Sequence, residues 1–96
     1  MNAQVLLVDD DIELAGLLRD YLARDGFAVD CAQDGESGAS AAISGRYDIV
    51  VLDVMMPRLS GLEALRRIRR ESSVPILMLT ARGDDVDRVV GLELEA

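Results

Sequence analysis

The chain contains no lysine, no histidine and no tryptophan, and it has one cysteine among its 96 residues. Without lysine or histidine, these residues offer neither an ammonium group nor an imidazole, which excludes acid–base mechanisms that depend on either group. Cys31 alone cannot form an internal disulfide. Aromatic residues make up 3% of the chain and hydrophobic residues 50%, a balance that predicts a core of aliphatic side chains.

Positive charge is also scarce. The ten basic residues, all of them arginine, stand against 18 acidic residues, for a formal net charge of -8. The resulting field repels phosphate backbones and anionic lipids, so we expect this segment to contact neither nucleic acid nor membrane directly. The first apolar run, 5–8, is short, lacks preceding basic residues and ends in three aspartates, unlike a signal peptide. We expect a cytoplasmic protein with one domain over residues 1–96.

Short aliphatic runs alternate along the chain with longer segments whose apolar residues recur every three or four positions. The runs are 5–8, 27–31, 49–52 and 76–79. Unbroken strings of Val, Ile, Leu and Met suit parallel strands that are covered on both faces. The alternation predicts an α/β fold with a flavodoxin-like, doubly wound parallel sheet, in which the first strand lies between the second and the third.

Two helices are predicted in the first half of the chain. The first begins after Asp11 as N-cap and ends at Gly26, where a left-handed residue stops it. Its apolar stripe is Leu14, Leu17, Leu18, Tyr21 and Leu22. The second helix, 35–44, is rich in Ala and Ser and contains Gly38, so we expect it to depend on the sheet for its stability.

Two further helices are predicted in the second half. The third starts near Gly61 and packs Leu62, Leu65 and Ile68 inward. Its arginines at 66, 67, 69 and 70 are interpreted as a solvated face. The last helix starts at about Asp84 and carries Val86, Val89, Val90 and Leu94.

Side chains with oxygen atoms follow three of the predicted strands. Asp9, Asp10 and Asp11 follow the first strand, Asp53 follows the third and Thr80 follows the fourth. Parallel strands bring their carboxyl ends to one edge of the sheet, so we expect these groups to meet beside the switch point. Clustered carboxylates repel one another unless a cation lies among them, and this ligand set suits Mg²⁺.

Asp53 is the candidate nucleophile of this cluster, because a carboxylate that attacks a phosphoryl group forms an aspartyl phosphate. Thr80 could then hydrogen-bond the new phosphoryl oxygen. Two alternatives stay open. The aspartates at 9–11 could simply stabilise a helix start. A metal-dependent phosphotransferase or phosphatase of another α/β class would also use an aspartyl nucleophile and Mg²⁺, although we find no general acid and no substrate-capping element.

The chain resembles the receiver domain of two-component response regulators from Val5 to Ala96. The run 6–11 is similar to the first strand and acidic pair of that family, and 53–57 with Gly61 is similar to its phosphoacceptor segment. Residues 76–82 and 89–94 resemble the fourth strand and fourth helix of the OmpR/PhoB subfamily, in particular CpxR-type regulators.

The resemblance implies a role for each candidate residue. Asp53 would accept a phosphoryl group from a sensor histidine kinase, and Thr80 would be the switch hydroxyl that follows the phosphate. Asp9 and Asp10, or one of them, would hold Mg²⁺ together with Asp53 and the backbone carbonyl of Met55. The segment would be a phosphoryl-accepting signalling domain rather than an enzyme, controlling a winged-helix, DNA-binding output domain that lies outside it.

The resemblance also implies that parts of the receiver are missing. Receivers of this family have a fifth βα unit and a lysine after the fifth strand, and the chain has neither. We therefore interpret residues 1–96 as an incomplete receiver of four βα units, with weakened phosphorylation. Its fourth strand would be an exposed edge, so we expect a homodimer or domain-swapped oligomer formed through that strand. A non-phosphorylated protein-interaction module is the alternative function.

Overall fold

The computed structural model describes residues 3–54, 56, 59–81 and 88–93, with 80, 81 and 88–93 described by their backbone only. The elements are β1 (Gln4–Val8), α1 (Ile12–Arg24), β2 (Ala28–Ala32), α2 (Gly35–Ile43), β3 (Ile49–Asp53), α3 (Gly61–Arg69), β4 (Ile76–Ala81) and β5 (Arg88–Glu93). They form one sheet in the order β2-β1-β3-β4-β5. The first four strands are parallel, which confirms the predicted flavodoxin-like fold class.

The fifth strand corrects two predictions. Residues 88–93 form a strand where a helix was predicted, and this strand pairs antiparallel with the whole of β4, from Ile76 opposite Glu93 to Ala81 opposite Arg88. Strand β4 is therefore an interior strand, so the prediction that it forms an exposed edge is wrong, and the predicted oligomer through that edge is not supported. Val89 and Val90 are β-branched and Gly91 disfavours a helix, whereas a strand at this position pairs with backbone groups that β4 would otherwise leave open. The remainder of the predicted helix, 84–87 and 94, lies outside the described residues.

The main core lies between the sheet and the helices α2 and α3. Because side chains alternate along a strand, Leu6 and Val8 face these helices, whereas Val5 and Leu7 face α1 on the other side. The cluster on the α2 and α3 side also contains Val50, Leu52, Ile76, Ala39, Ala42, Ala64 and Ile68. Small residues let α2 approach the sheet closely: a Cβ at Gly38 would lie 2.5 Å from Cγ1 of Val8. This contact explains why a helix with a central glycine is stable here.

Helix α1 begins and ends as predicted, but its buried stripe is narrower. The Asp11 side chain accepts a hydrogen bond from Leu14 N at 3.1 Å, and Gly26 has a φ of 91° after the last turn. Leu17 and Tyr21, which belong to the predicted apolar stripe, are 68% and 63% exposed. The buried residue of α1 is Ala15, and the helix packs on β1 and β2.

Helix α3 also differs from the prediction in one residue. Leu62 is 48% exposed rather than inward-facing, while Ala64 and Ile68 are fully buried. The helix begins at a Ser60 cap, whose hydroxyl accepts from Glu63 N at 3.3 Å. The inward side of α3 is therefore set by its small residues and by Ile68.

Tyr47 anchors the connection between α2 and β3. Its hydroxyl donates to Oδ2 of Asp30 at 2.7 Å and accepts from Nη2 of Arg46 at 3.0 Å. The residue is buried, and burial, followed by the hydrogen bond to Asp30, raises the pKa of the Tyr47 phenol above its ordinary value of 10.0. Folding therefore favours the neutral form of the Tyr47 phenol.

This raised pKa predicts a loss of stability in alkali. A group whose pKa is higher in the folded state contributes fully below the unfolded pKa and loses that contribution as the pH rises through the folded pKa. We expect the free energy of unfolding, measured by urea denaturation, to fall above about pH 10. Tyr47→Phe should lower it by about 1 to 2 kcal/mol at neutral pH and flatten the alkaline decline. Tyr21→Phe, which changes an exposed phenol, should keep the unmodified profile; an unchanged slope in Tyr47→Phe would contradict this account.

Candidate functional site

Three carboxylates from two adjacent strand ends meet at one edge of the sheet. Asp9 and Asp10 follow β1, and Asp53 is the last residue of β3, which pairs with β1 through Val8 opposite Leu52. One carboxylate oxygen from each of the three residues lies within 4.8 Å of the others. Asp9 is 1% exposed and Asp53 is 2% exposed, whereas Asp10 is open to solvent. The sequence predicted this grouping, and the structure shows it.

The three consecutive aspartates after β1 divide between two tasks. Asp11 caps helix α1, as described above, and lies outside the cluster of three. Asp9 accepts a hydrogen bond from Asp11 N at 2.9 Å through Oδ1, and its own N–H donates to Ala32 O of β2 at 3.0 Å. These bonds fix the turn between β1 and α1. The interpretation of this run as a helix-start cluster thus holds for Asp11, while Asp9 and Asp10 join Asp53.

The backbone around Asp53 is fixed on both sides. Val54 N donates to Leu79 O of β4 at 2.9 Å, and Gly61 N donates to Val54 O at 3.0 Å. The start of α3 therefore lies directly against the end of β3. A Cβ at Gly61 would lie 2.5 Å from Val54 Cα and would also overlap the Asp53 carbonyl, so no side chain fits there. The sequence motif included Gly61, but only the structure shows this reason for it.

The donor set fits a hard divalent cation. Two of the three carboxylates are buried, so their negative charges repel one another in a region that water screens weakly. Mg²⁺ prefers oxygen ligands, usually one or two carboxylates supplemented by water. Asp10 is exposed, so water reaches this side of the cluster. The residues present thus match the chemistry of magnesium.

Of the remaining predicted site residues, the structure describes the backbone of Thr80 and does not describe Met55. The backbone of Thr80 lies in β4, one residue beyond Leu79, which pairs with Asp53. Thr80 is therefore at the same edge of the sheet as the carboxylates, and its side chain lies outside the described part of the chain. Met55, predicted to offer its backbone carbonyl, lies outside the described residues altogether.

A protein-family comparison matches residues 5–96 to the response regulator receiver domain. The chain therefore belongs to the family of response regulator receiver domains. This membership confirms the resemblance identified from the sequence. Within the described residues, no helix has the length and hydropathy needed to cross a membrane.

Curated relatives include CpxR and other regulators of the OmpR/PhoB family. The chain is 53% identical over 94 residues to the transcriptional regulatory protein CpxR homolog of Haemophilus influenzae, covering 98% of this chain and 41% of that protein. It is 47% identical over 93 residues to the transcriptional regulatory protein CpxR of Escherichia coli K12, covering 97% of this chain and 40% of that protein. The chain thus spans about two fifths of the length of these relatives, and the match confirms the predicted subfamily.

Solved structures of receiver domains share the fold. The receiver domain of sensor histidine kinase PA1611 from Pseudomonas aeruginosa, which has a magnesium ion in its active site cleft, matches with a TM-score of 0.80 and 32% identity over 85% of this chain and 70% of that one. The response regulator TrrA from Thermotoga maritima, in complex with Mg²⁺ and BeF, matches with a TM-score of 0.79 and 38% identity over 86% of this chain and 72% of that one.

Proposed function

We propose that this chain is a phosphorylation switch in which Asp53 accepts a phosphoryl group from a sensor histidine kinase. The observation that carries the proposal is the cluster of Asp9, Asp10 and Asp53 at the ends of β1 and β3. In the reaction, a carboxylate oxygen of Asp53 attacks phosphorus, the bond from phosphorus to the histidine nitrogen of the kinase breaks, and an aspartyl phosphate forms.

The proposed metal is Mg²⁺, held by Asp9, Asp10 and Asp53 and by the backbone carbonyl of Met55. When bound, it supplies positive charge that offsets the carboxylates and the phosphoryl oxygens. The residues of the chain do the rest. Asp53 is oriented by the fixed backbone on either side of it, and its side chain is buried. Asp9 is held in place by its bonds to the turn before α1.

The proposed switch depends on Thr80 and on an output region outside residues 1–96. We propose that the Thr80 hydroxyl hydrogen-bonds a phosphoryl oxygen and moves with it, and that residues 1–96 form part of one receiver domain. The length of the curated relatives supports an additional output region, and their names support control of transcription by it. We propose that the protein acts in the cytoplasm, where histidine kinases present their phosphoryl groups.

The proposal is tested by intact-mass measurement. After incubation with Mg²⁺ and acetyl phosphate, the chain should gain the mass of one phosphoryl group. Asp53→Asn should abolish the gain, as should chelation of the metal. Asp11→Asn removes a neighbouring carboxylate but keeps a good helix cap, so it should be phosphorylated normally. Circular dichroism checks that each variant is folded.

The same experiment separates the alternatives. A folded chain that never gains mass would favour a module that only binds partners. Sustained release of inorganic phosphate from the donor, beyond one turnover of Asp53, would favour a phosphatase. A mass gain that persists in Asp53→Asn would move the acceptor to another residue and overturn the assignment.

A further inference from the structure

The outer face of α3 concentrates the positive charge of an acidic protein. Residues 61–70 contain four arginines and one glutamate, whereas the rest of the chain contains 17 acidic and six basic residues. Arg66, Arg67 and Arg70 are exposed and line a groove of about 170 Å³ together with Leu59 and Glu63. We call these five residues the α3 groove. Its charge is opposite in sign to the net charge of the rest of the chain.

In the part of the chain that the structure describes, the arginines of the groove, Arg66, Arg67 and Arg70, form no ion pair. Arg69 differs, because its Nη1 donates to Ser72 O at 3.3 Å and to Val74 O at 2.6 Å and so closes the turn before β4. Arg69 therefore stabilises the fold, whereas the other three arginines of the helix are exposed to solvent.

Glu63, the acidic residue of the helix, takes part in the N-terminal cap. Glu63 lies one turn before Arg66 and Arg67, the spacing at which a carboxylate usually pairs with a basic side chain. Here its Oε1 lies 3.5 Å from the Ser60 hydroxyl, and its N–H donates to the same hydroxyl, so it completes the helix cap. The guanidinium groups are left available to an outside partner.

We propose that the α3 groove is a docking surface for an acidic segment of a partner protein, with carboxylates on either side of a large apolar residue. Guanidinium groups bind carboxylates with two parallel hydrogen bonds, which makes arginine the suitable residue for this recognition. The apolar contact would be Leu59 of the groove together with Leu62, which is 48% exposed. The groove has the size of one or two side chains.

Charge favours a polypeptide over a nucleic acid at this surface. A nucleic acid is an extended polyanion, and beyond the groove it would meet a protein whose remaining residues carry excess negative charge. A short acidic segment gains the same contacts with the arginines and meets less repulsion. Its binding should weaken with salt, because the groups are exposed.

The test uses a labelled peptide in which one leucine has two glutamates on each side. Fluorescence anisotropy should detect binding to the folded chain at low salt, and NMR shift changes should map to residues 59–70. Arg66→Gln with Arg70→Gln should weaken binding about fivefold or more, from two exposed ion pairs. The matched control, Arg19→Gln with Arg24→Gln, makes the same change in net charge on α1 and should leave the affinity nearly unchanged.

Three results would overturn the proposal. If the peptide does not bind at concentrations up to millimolar, the α3 groove is not a docking surface for an acidic segment. Equal weakening in the two double variants would mean that the peptide responds only to total charge. Tighter binding of a duplex DNA than of the peptide at the same salt concentration would assign the groove to a nucleic acid. These variants leave Asp9, Asp10 and Asp53 untouched, so phosphoryl acceptance should be unaffected, and failure here is separate from failure of the proposed function.

Discussion

Gly61→Ala is expected to destabilise the protein by about 3 kcal/mol, the upper part of the range for overpacking in a close-packed region. The new methyl group would overlap the backbone of Asp53 and Val54, and backbone atoms cannot rotate away as a flexible side chain can. Either α3 must shift outward or the end of β3 must move. We expect a lower urea midpoint with little change in the slope of the transition.

The matched control is another glycine replaced by the same residue. A Cβ at Gly16, inside α1, would have nothing within 4 Å. Alanine is the better helix former, so Gly16→Ala should stabilise the protein by about 0.5 to 1 kcal/mol. The two substitutions thus have opposite expected signs. If Gly61→Ala were neutral or stabilising, the close approach between α3 and the end of β3 would not exist in solution.

Mg²⁺ is expected to raise the free energy of unfolding, by about 2.7 kcal/mol at a concentration one hundred times its Kd. In the proposed site the ion would bind the assembled cluster and not the unfolded chain, where Asp9 and Asp53 are separated by more than forty residues. Thermal or urea unfolding at several Mg²⁺ concentrations measures the effect. The dependence on concentration gives Kd directly.

Asp53→Asn should stabilise the chain without Mg²⁺ and reduce the stabilisation that Mg²⁺ provides. Without metal, removing one of the carboxylates within 4.8 Å of one another relieves repulsion and should stabilise the chain by about 1 to 3 kcal/mol. With metal, the same variant should gain much less than the unmodified chain. Asp11→Asn, which alters a carboxylate outside the cluster, should keep the full response. A Mg²⁺ response that survives Asp53→Asn unchanged would place the ion elsewhere.

Local signals in the sequence were sufficient for the first four strands and for the three helices between them. Asp11 and Gly26 bound α1 because capping depends on a few neighbouring residues. The aliphatic strands could be ordered because parallel connections have one hand and few topologies. The carboxylates followed from that order, since Asp9 and Asp53 end strands that lie side by side.

The parts that could not be predicted depend on what lies next to a segment. Val89, Val90 and Leu92 suit either a helix stripe or a strand, and the available edge of β4 decides between them. Leu17 and Leu62 were expected to be buried because apolar spacing gives the side of a helix but not the width of the surface that covers it. The role of Gly61 was hidden for the same reason, because only its neighbours in space make it necessary.

The bond from the Val54 amide to the Leu79 carbonyl acts as a strut between two distant parts of the chain. It ties the peptide immediately after Asp53 to the strand that continues into Thr80. A displacement of Asp53 therefore acts on β4 through this one backbone hydrogen bond.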